Sequence, residues 1–152
     1  MRKYAFYMFS CTLAFGQLIS SAQTAEISQK RAIESLPPII ASGLQAYKDK
    51  GPDEAVRAWI KGSALDGNKD ALTQANNMRQ FQDFYGAYRS FEVISTRNIS
   101  SKTQVIYMVL EYDKGPIFAK FIIYRPDKDW IMVNFKFNTK EDVILPTAVH
   151  TE

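Results

Sequence analysis

The chain has 152 residues, and its 19 basic and 16 acidic side chains are interspersed along the sequence. This mixture leaves no basic stripe of the kind that nucleic-acid binding requires, so nucleic acid is not an expected partner. The length suits one domain with a single hydrophobic core.

The first 22 residues have the layout of a cleaved secretory signal. Arg2 and Lys3 precede the largely apolar run "YAFYMFSCTLAFGQLI", and small residues follow at 20–22. A basic head, an apolar middle and small residues at the cut are typical of exported proteins. The run is too polar for a good membrane span. We therefore expect a mature chain from Gln23, in the periplasm or outside a bacterial cell, without integral membrane contact; an uncleaved anchor is the alternative.

Cys11 is the only cysteine of the sequence and lies inside this segment. Lipid attachment to Cys11 is a weaker alternative, because Phe9 fits the residues expected before a lipidated cysteine badly. Removal of the segment leaves no thiol. Disulfides, thiolate catalysis and cysteine metal sites are then excluded together.

Residues 23–37 are polar and are predicted to form an arm or a loose helix. Three helices are expected next, in "LPPIIASGLQAYKDKG", in "GPDEAVRAWIKG" and at 69–85, since proline stands near the start of the first two and glycine ends all three. Apolar residues recur at helical spacing: Ile40, Leu44 and Tyr47, then Ala55, Val56, Trp59 and Ile60, then Leu72, Ala75, Met78, Phe81 and Tyr85. The acidic stretch "DGNKD" at 66–70 lacks the rest of a calcium loop, and we interpret it as a turn and helix cap.

Four strands are predicted after the helices, at about 88–97, 103–112, 117–125 and 130–138. The connectors "NISSK", "DKGP" and "RPDKD" are short and rich in turn formers, which favours antiparallel neighbours. The expected fold is therefore α+β, with N-terminal helices packed on one side of a curved four-stranded antiparallel sheet.

Both faces of this sheet are predicted to be apolar. Val105, Tyr107 and Val109 alternate with Ile106, Met108 and Leu110 in the second strand. In the last strand, one side would carry Ile131, Val133, Phe135 and Phe137, and the other Trp130 and Met132. Three helices cover one face, and the second requires another cover. A homodimer through the sheet is the expected solution; a curled sheet or the N-terminal arm lying across this face are the alternatives.

The element order and two local patterns, "FQDFYGAYRSFEVIS" at 81–95 and "FIIYRPDKDWIMVNFKFN" at 121–138, resemble the nuclear transport factor 2-like superfamily. This resemblance covers residues 38–145, leaves 146–152 as a disordered tail, and implies the cystatin-like α+β roll also seen in ketosteroid isomerases. Members usually have a pocket between the helices and the concave side of the sheet. The side chains expected near it are Trp59, Phe84, Tyr85, Tyr88, Tyr107 and Trp130. The alternative is that these rings fill the cone.

The sequence offers little catalytic chemistry. His150 is the only histidine and lies in the expected tail, so a histidine base or metal cluster is not predicted. Asp83 on the third helix is considered for an inward position, but Phe81 and Phe84 take the apolar side, and the favoured interpretation is a solvated helix residue. No catalytic residue, metal or cofactor is predicted.

The function expected from these features is that of an exported non-catalytic domain. It would bind a small apolar ligand or a protein partner through an aromatic-lined cone. One alternative is an isomerase or hydratase that uses tyrosine and aspartate in the same cavity. Another is a structural envelope protein that acts through its apolar sheet face.

Overall fold

The computed structural model describes residues 21–146 and shows an α+β fold. The elements in chain order are helices α1 (Ser21–Ser35), α2 (Pro38–Lys50), α3 (Pro52–Ile60) and α4 (Lys69–Tyr85), strands β1 (Tyr88–Ser100), β2 (Thr103–Tyr112), β3 (Gly115–Tyr124) and β4 (Ile131–Asn138), and the short helix α5 (Glu141–Ile144). The sheet has the order β1-β2-β3-β4, with antiparallel pairing throughout. The predicted helices and meander are confirmed, whereas α5 was not predicted.

The predicted signal segment and the predicted tail fall almost wholly outside the described residues. Ser21 and Ala22 are the exceptions at the front, as the first residues of α1, and Pro146 is the exception at the back. Within 21–146, no helix combines the length and the hydropathy needed to cross a membrane.

Proline, glycine and asparagine set the helix boundaries. Pro38 and Pro52 occupy the first turns of α2 and α3, where a missing N–H costs nothing. Between them, Gly51 adopts a φ of 91°, a backbone conformation that favours glycine. The side chain of Asn68 caps α4 by accepting a hydrogen bond from the Asp70 N–H at 2.7 Å. The interpretation of "DGNKD" as a turn and cap is confirmed.

The main core lies between α2–α4 and one face of the sheet. The buried helix positions agree with the predicted stripes in α2 and α3. In α4, Ala71 is buried, whereas the neighbouring Leu72 is 44% exposed. The predicted inward position of Leu72 is therefore wrong.

A β-bulge in β4 changes which side chains face the helices. Ile122 lies opposite Asn134 and Ile123 lies opposite Met132, so that Val133 is an extra residue in β4. Beyond the bulge the alternation shifts by one. Met132, Phe135 and Phe137 consequently all enter the main core, while Val133 is 47% exposed. The prediction that Met132 faces away from Phe135 and Phe137 is wrong, because strict alternation does not continue through a bulge.

The second face of the sheet is covered in part by the end of the chain. Val105 and Tyr107 are each 7% exposed and form a small cluster with Ile144 of α5. Phe118 and Leu145 are among the half-buried residues around it. The apolar character of this face is thus explained partly by a C-terminal cover within the same chain, which replaces the N-terminal arm considered from the sequence.

Candidate functional site

The space expected to form an interior pocket is occupied by Trp59. Its side chain is fully buried, and its ring centroid lies 5.0 Å from that of Phe121 and 5.8 Å from that of Phe137. The indole Nε1 donates a hydrogen bond to the Ile40 carbonyl at 3.3 Å. The indole also packs directly on Gly43, where an added Cβ would lie 1.9 Å from Nε1. Trp59 therefore fills the interior instead of lining an open cavity.

Three tyrosines form a closed cluster at one end of the core. The hydroxyl groups of Tyr47 and Tyr112 lie 2.6 Å apart, and the Tyr88 ring centroid lies 4.6 Å from that of Tyr47. Burial raises the pKa of Tyr112 to about 12, although its hydrogen bond with Tyr47 acts in the opposite direction. Burial, followed by the neighbouring Tyr112, raises the pKa of both Tyr47 and Tyr88 well above the usual value. Each hydroxyl of the Tyr47–Tyr112 pair satisfies the other, so this arrangement is a neutral packing element.

The connection from α4 to β1 is held by Asp113 from the turn after β2. Its carboxylate accepts a hydrogen bond from the Ala87 N–H at 2.8 Å and forms an ion pair with Arg89. The Ala87 N–H, and then the Arg89 guanidinium, lower the pKa of Asp113 below its usual value. Tyr85 packs over the same turn, since a Cβ added to Gly115 would lie 3.1 Å from its Cδ1. Tyr85 and the carboxylate of Asp113 thus fix a connection between elements.

Two of the six expected site residues are not in the interior at all. Phe84 is 77% exposed on α4. Tyr107 lies on the second face of the sheet, in the cluster with Ile144, and the Lys120 ammonium lies 5.9 Å from its ring centroid. The expected positions of Phe84 and Tyr107 near the interior are therefore corrected. For Phe84, helical spacing does not decide which of the neighbouring aromatic residues of α4 faces inward. For Tyr107, alternation does not decide which face of β2 meets the helices, because both faces are apolar.

Trp130 is the expected site residue that borders open space. It stands directly before β4 and takes part in two clefts. The outer cleft has a volume of about 670 Å³ and lies at the end of the sheet where β1 meets β2. Its principal lining residues are Leu36, Val93, Thr96, Asn98, Gln104, Arg125 and Trp130. The side cleft, of about 700 Å³, lies between α2, α3 and the loop before β4 and includes Ser42, Lys61, Lys128 and Trp130. Both volumes are in the range of small-molecule sites.

A stacked arginine dominates the electrostatics of the outer cleft. The guanidinium carbon of Arg125 lies 4.8 Å from the Trp130 ring centroid, which is a cation–π contact. Arg125 also donates to the Ser101 carbonyl from Nη2 at 3.4 Å and to the Lys102 carbonyl from its backbone N–H at 2.8 Å. Arg125 was not considered from the sequence. The signal available for it was its place at the end of one strand, five residues before a tryptophan that opens the next.

Within the described part of the chain, no three potential metal-ligating side chains of the His, Cys, Asp or Glu types come together. Asp83 is exposed on α4. A proton-transfer pair of the kind considered from the sequence would need this carboxylate beside a buried tyrosine hydroxyl. The tyrosine hydroxyls that come together, those of Tyr47 and Tyr112, are paired with each other.

Comparison with known proteins gives a weak structural likeness. No protein-family profile matches the chain, and no curated protein is similar to it. Among solved structures, the chain is similar to a domain of unknown function with a cystatin-like fold from Nostoc punctiforme, with a TM-score of 0.45 and 15% identity. The alignment covers 84% of this chain and 82% of the other. A likeness of this degree carries no conclusion about function.

Proposed function

We propose that this protein is an exported, non-catalytic binding domain that holds a small ligand in the outer cleft beside Trp130. The observation behind this proposal is the contrast between the two tryptophans. Trp59 is sealed in the core, whereas Trp130 is half-buried and borders two open clefts. An indole ring at the wall of a cleft offers a flat apolar surface for stacking together with a polar edge.

The composition of the outer cleft supports binding of a small molecule. Apolar contacts are available from Leu36, Val93 and Trp130, and polar side chains surround them at Asn98 and Gln104. Such mixed walls, with a few polar groups that fix orientation, are typical of ligand sites. The proposed site is an open surface cleft, which suits reversible binding, and it takes the place of the aromatic-lined cone expected from the sequence.

Membership of the nuclear transport factor 2-like superfamily is part of the same proposal. The element order and the patterns at 81–95 and 121–138 support it. The alternative of an isomerase or hydratase gains no support from the geometry, because Asp83 is exposed and the Tyr47–Tyr112 hydroxyl pair is closed.

Export is proposed from the basic, apolar and small-residue layout of residues 1–22. Expression of the whole chain in a Gram-negative bacterium, followed by N-terminal sequencing of periplasmic material, tests it. The sequence should begin at Gln23. Material that starts at Met1 and remains in the cytoplasmic fraction would contradict export.

Binding is tested by native mass spectrometry of protein purified from its own host, looking for co-purifying small molecules. We expect the unmodified protein to carry an adduct that the variant Trp130→Ala loses. The variant Phe84→Ala is the matched control, because it removes an exposed aromatic ring that is not part of the lining of either cleft. An adduct that survives Trp130→Ala but not Phe84→Ala would place binding elsewhere.

We propose secondarily that two copies associate through the part of the sheet that α5 leaves open. Tyr124 at the end of β3 is 37% exposed and Val133 in β4 is 47% exposed, which favours further cover. The structural envelope role considered from the sequence would use the same surface. Sedimentation of the mature protein at micromolar concentration should show a dimer, and the variant Val133→Lys should shift it towards monomer. A single species at monomer mass would end this second proposal.

A further inference from the structure

We infer that the outer cleft is a site for a small organic monocarboxylate, with the acid group at Arg125 and an apolar body against Trp130. This inference rests on the proposed binding function and adds the chemical class of the ligand. It depends on the charge of the cleft, on the way in which Arg125 is held, and on the apolar surface beside it.

Arg125 gives the outer cleft a single, uncompensated positive charge. Among the described residues that line the cleft, Arg125 is the one with an ionisable side chain; the others are apolar, hydroxyl, amide or proline residues. Across 21–146, the ion pairs join Glu54 with Arg57, Asp53 with Arg79 and Asp113 with Arg89, and none involves Arg125. One guanidinium without an acidic partner matches a ligand with one negative charge.

The Arg125 side chain is held with hydrogen-bond donors to spare. The guanidinium lies against the Trp130 ring, and the Ser101 carbonyl accepts one hydrogen bond from it. A guanidinium carries five N–H donors in a rigid fork that fits a carboxylate in a bidentate manner. Lys102, also near the cleft, directs its ammonium to the Pro126 carbonyl at 2.7 Å. The arrangement therefore favours one carboxylate over a doubly charged or polyanionic ligand.

The apolar side of the cleft specifies the remainder of the ligand. Leu36 is 8% exposed, and Val93 and Trp130 are partly buried against the main core, so all three present surface that is fixed in place. The pairing of β1 with β2 sets Val93 opposite Met108, which belongs to the main core, and thus places Val93 on the helix-facing side of the sheet. A flat or chain-like apolar body can lie on these three side chains while its acid group reaches Arg125.

The test uses the two tryptophans of the sequence as separate reporters. Biosynthetic labelling with 5-fluorotryptophan gives one ¹⁹F resonance for Trp59 and one for Trp130. The labelled full chain is titrated with 3-phenylpropionate and with its neutral analogue 3-phenylpropionamide. The same titrations are made on Arg125→Gln and on Lys128→Gln, which removes an equal charge from the side cleft.

We expect the acid to shift the Trp130 resonance and leave that of Trp59 unchanged. The acid should bind at least about tenfold more tightly than the amide, which is the usual size of a charge-assisted hydrogen bond. Arg125→Gln should remove this preference, and Lys128→Gln should retain it. If Arg125→Gln lowers stability, the comparison of acid and amide in the unmodified chain still tests whether the cleft prefers a carboxylate.

Three results would overturn the inference, and the third can be told apart from the first two. Equal affinity for acid and amide, or loss of the preference in Lys128→Gln alone, contradicts a carboxylate site at Arg125 but leaves binding beside Trp130 in place. No response of the Trp130 resonance to either compound contradicts the proposed binding function together with the inference.

Discussion

Replacement of Gly43 by alanine should destabilise the protein, although alanine is the better helix former. Gly43 lies inside α2, and an added methyl group would lie 1.9 Å from Nε1 and 2.2 Å from Cδ1 of Trp59. These distances are far below van der Waals contact. The obstructing atoms belong to a rigid ring that is fully buried between α2 and the phenylalanines of the sheet.

The expected loss of stability follows from two opposing effects. Alanine in place of glycine inside a helix favours folding by about 1 kcal/mol. Accommodating the methyl group requires the Trp59 indole to leave its site, and deletion of a buried tryptophan side chain costs about 3–5 kcal/mol. We therefore expect Gly43→Ala to lower the free energy of unfolding by about 2–4 kcal/mol.

Urea denaturation of the protein measures this change, with Ser42→Ala as the control at the adjacent, exposed position of α2. Ser42→Ala should change stability by no more than about 0.5 kcal/mol. In a Trp59→Leu background, the shorter side chain should make Gly43→Ala much less costly, so the two substitutions should couple by more than about 1 kcal/mol. Unchanged or increased stability of Gly43→Ala would refute the view that Trp59 fills the interior.

Three further predictions concern the C-terminal cover, the tyrosine pair and the helix cap. Ile144→Asp should detach α5 and cost about 1.5–3 kcal/mol in urea denaturation, whereas the exposed Val143→Asp should cost little; equal effects would contradict the cover. Tyr47→Phe should cost about 1–3 kcal/mol, because it leaves the buried Tyr112 hydroxyl without its partner. Folding raises the pKa of both Tyr47 and Tyr112, so the unfolded chain loses the protons of these two hydroxyls at a lower pH than the folded chain. Stability should therefore hold below about pH 10 and fall as the pH rises towards 12, and a flat pH profile would contradict this. Asn68→Ala should cost about 1 kcal/mol by thermal denaturation and Asn68→Asp much less, and equal losses would contradict the cap.

The helices and the meander could be predicted because local chemistry specifies them. Pro38 and Pro52 mark helix starts, and Gly51 and Gly86 mark helix ends with positive φ. The connectors between strands are short enough to leave antiparallel pairing as the simple solution. These signals depend on a few neighbouring residues and need no tertiary information.

The errors arise where tertiary contacts decide. The bulge at Val133 breaks the alternation of β4, and nothing in the local sequence of that strand marks it. Helix α5 has four residues, too few for a periodic pattern, and its cover of the second face depends on Ile144. Exposure of Phe84 likewise depends on which side of α4 the neighbouring elements cover.

The candidate site could be anticipated only in part. Trp130 was among the expected residues because the resemblance to the nuclear transport factor 2-like superfamily implies a pocket near it. Its partner Arg125 becomes significant only when the two strand ends are brought together and the guanidinium stacks on the ring. The Tyr47–Tyr112 hydrogen bond joins residues 65 positions apart, a separation at which a single sequence gives no pairing signal.

The central structural contrast of the molecule lies between a filled interior at Trp59 and an accessible cleft at Trp130. Its most direct test is the ¹⁹F spectrum of the 5-fluorotryptophan-labelled protein in the presence of a soluble gadolinium chelate, with the two resonances assigned by Trp→Phe variants. Strong broadening of the Trp130 resonance with a sharp Trp59 resonance is the predicted result. Equal broadening of both resonances would show that solvent reaches the interior and would contradict the account.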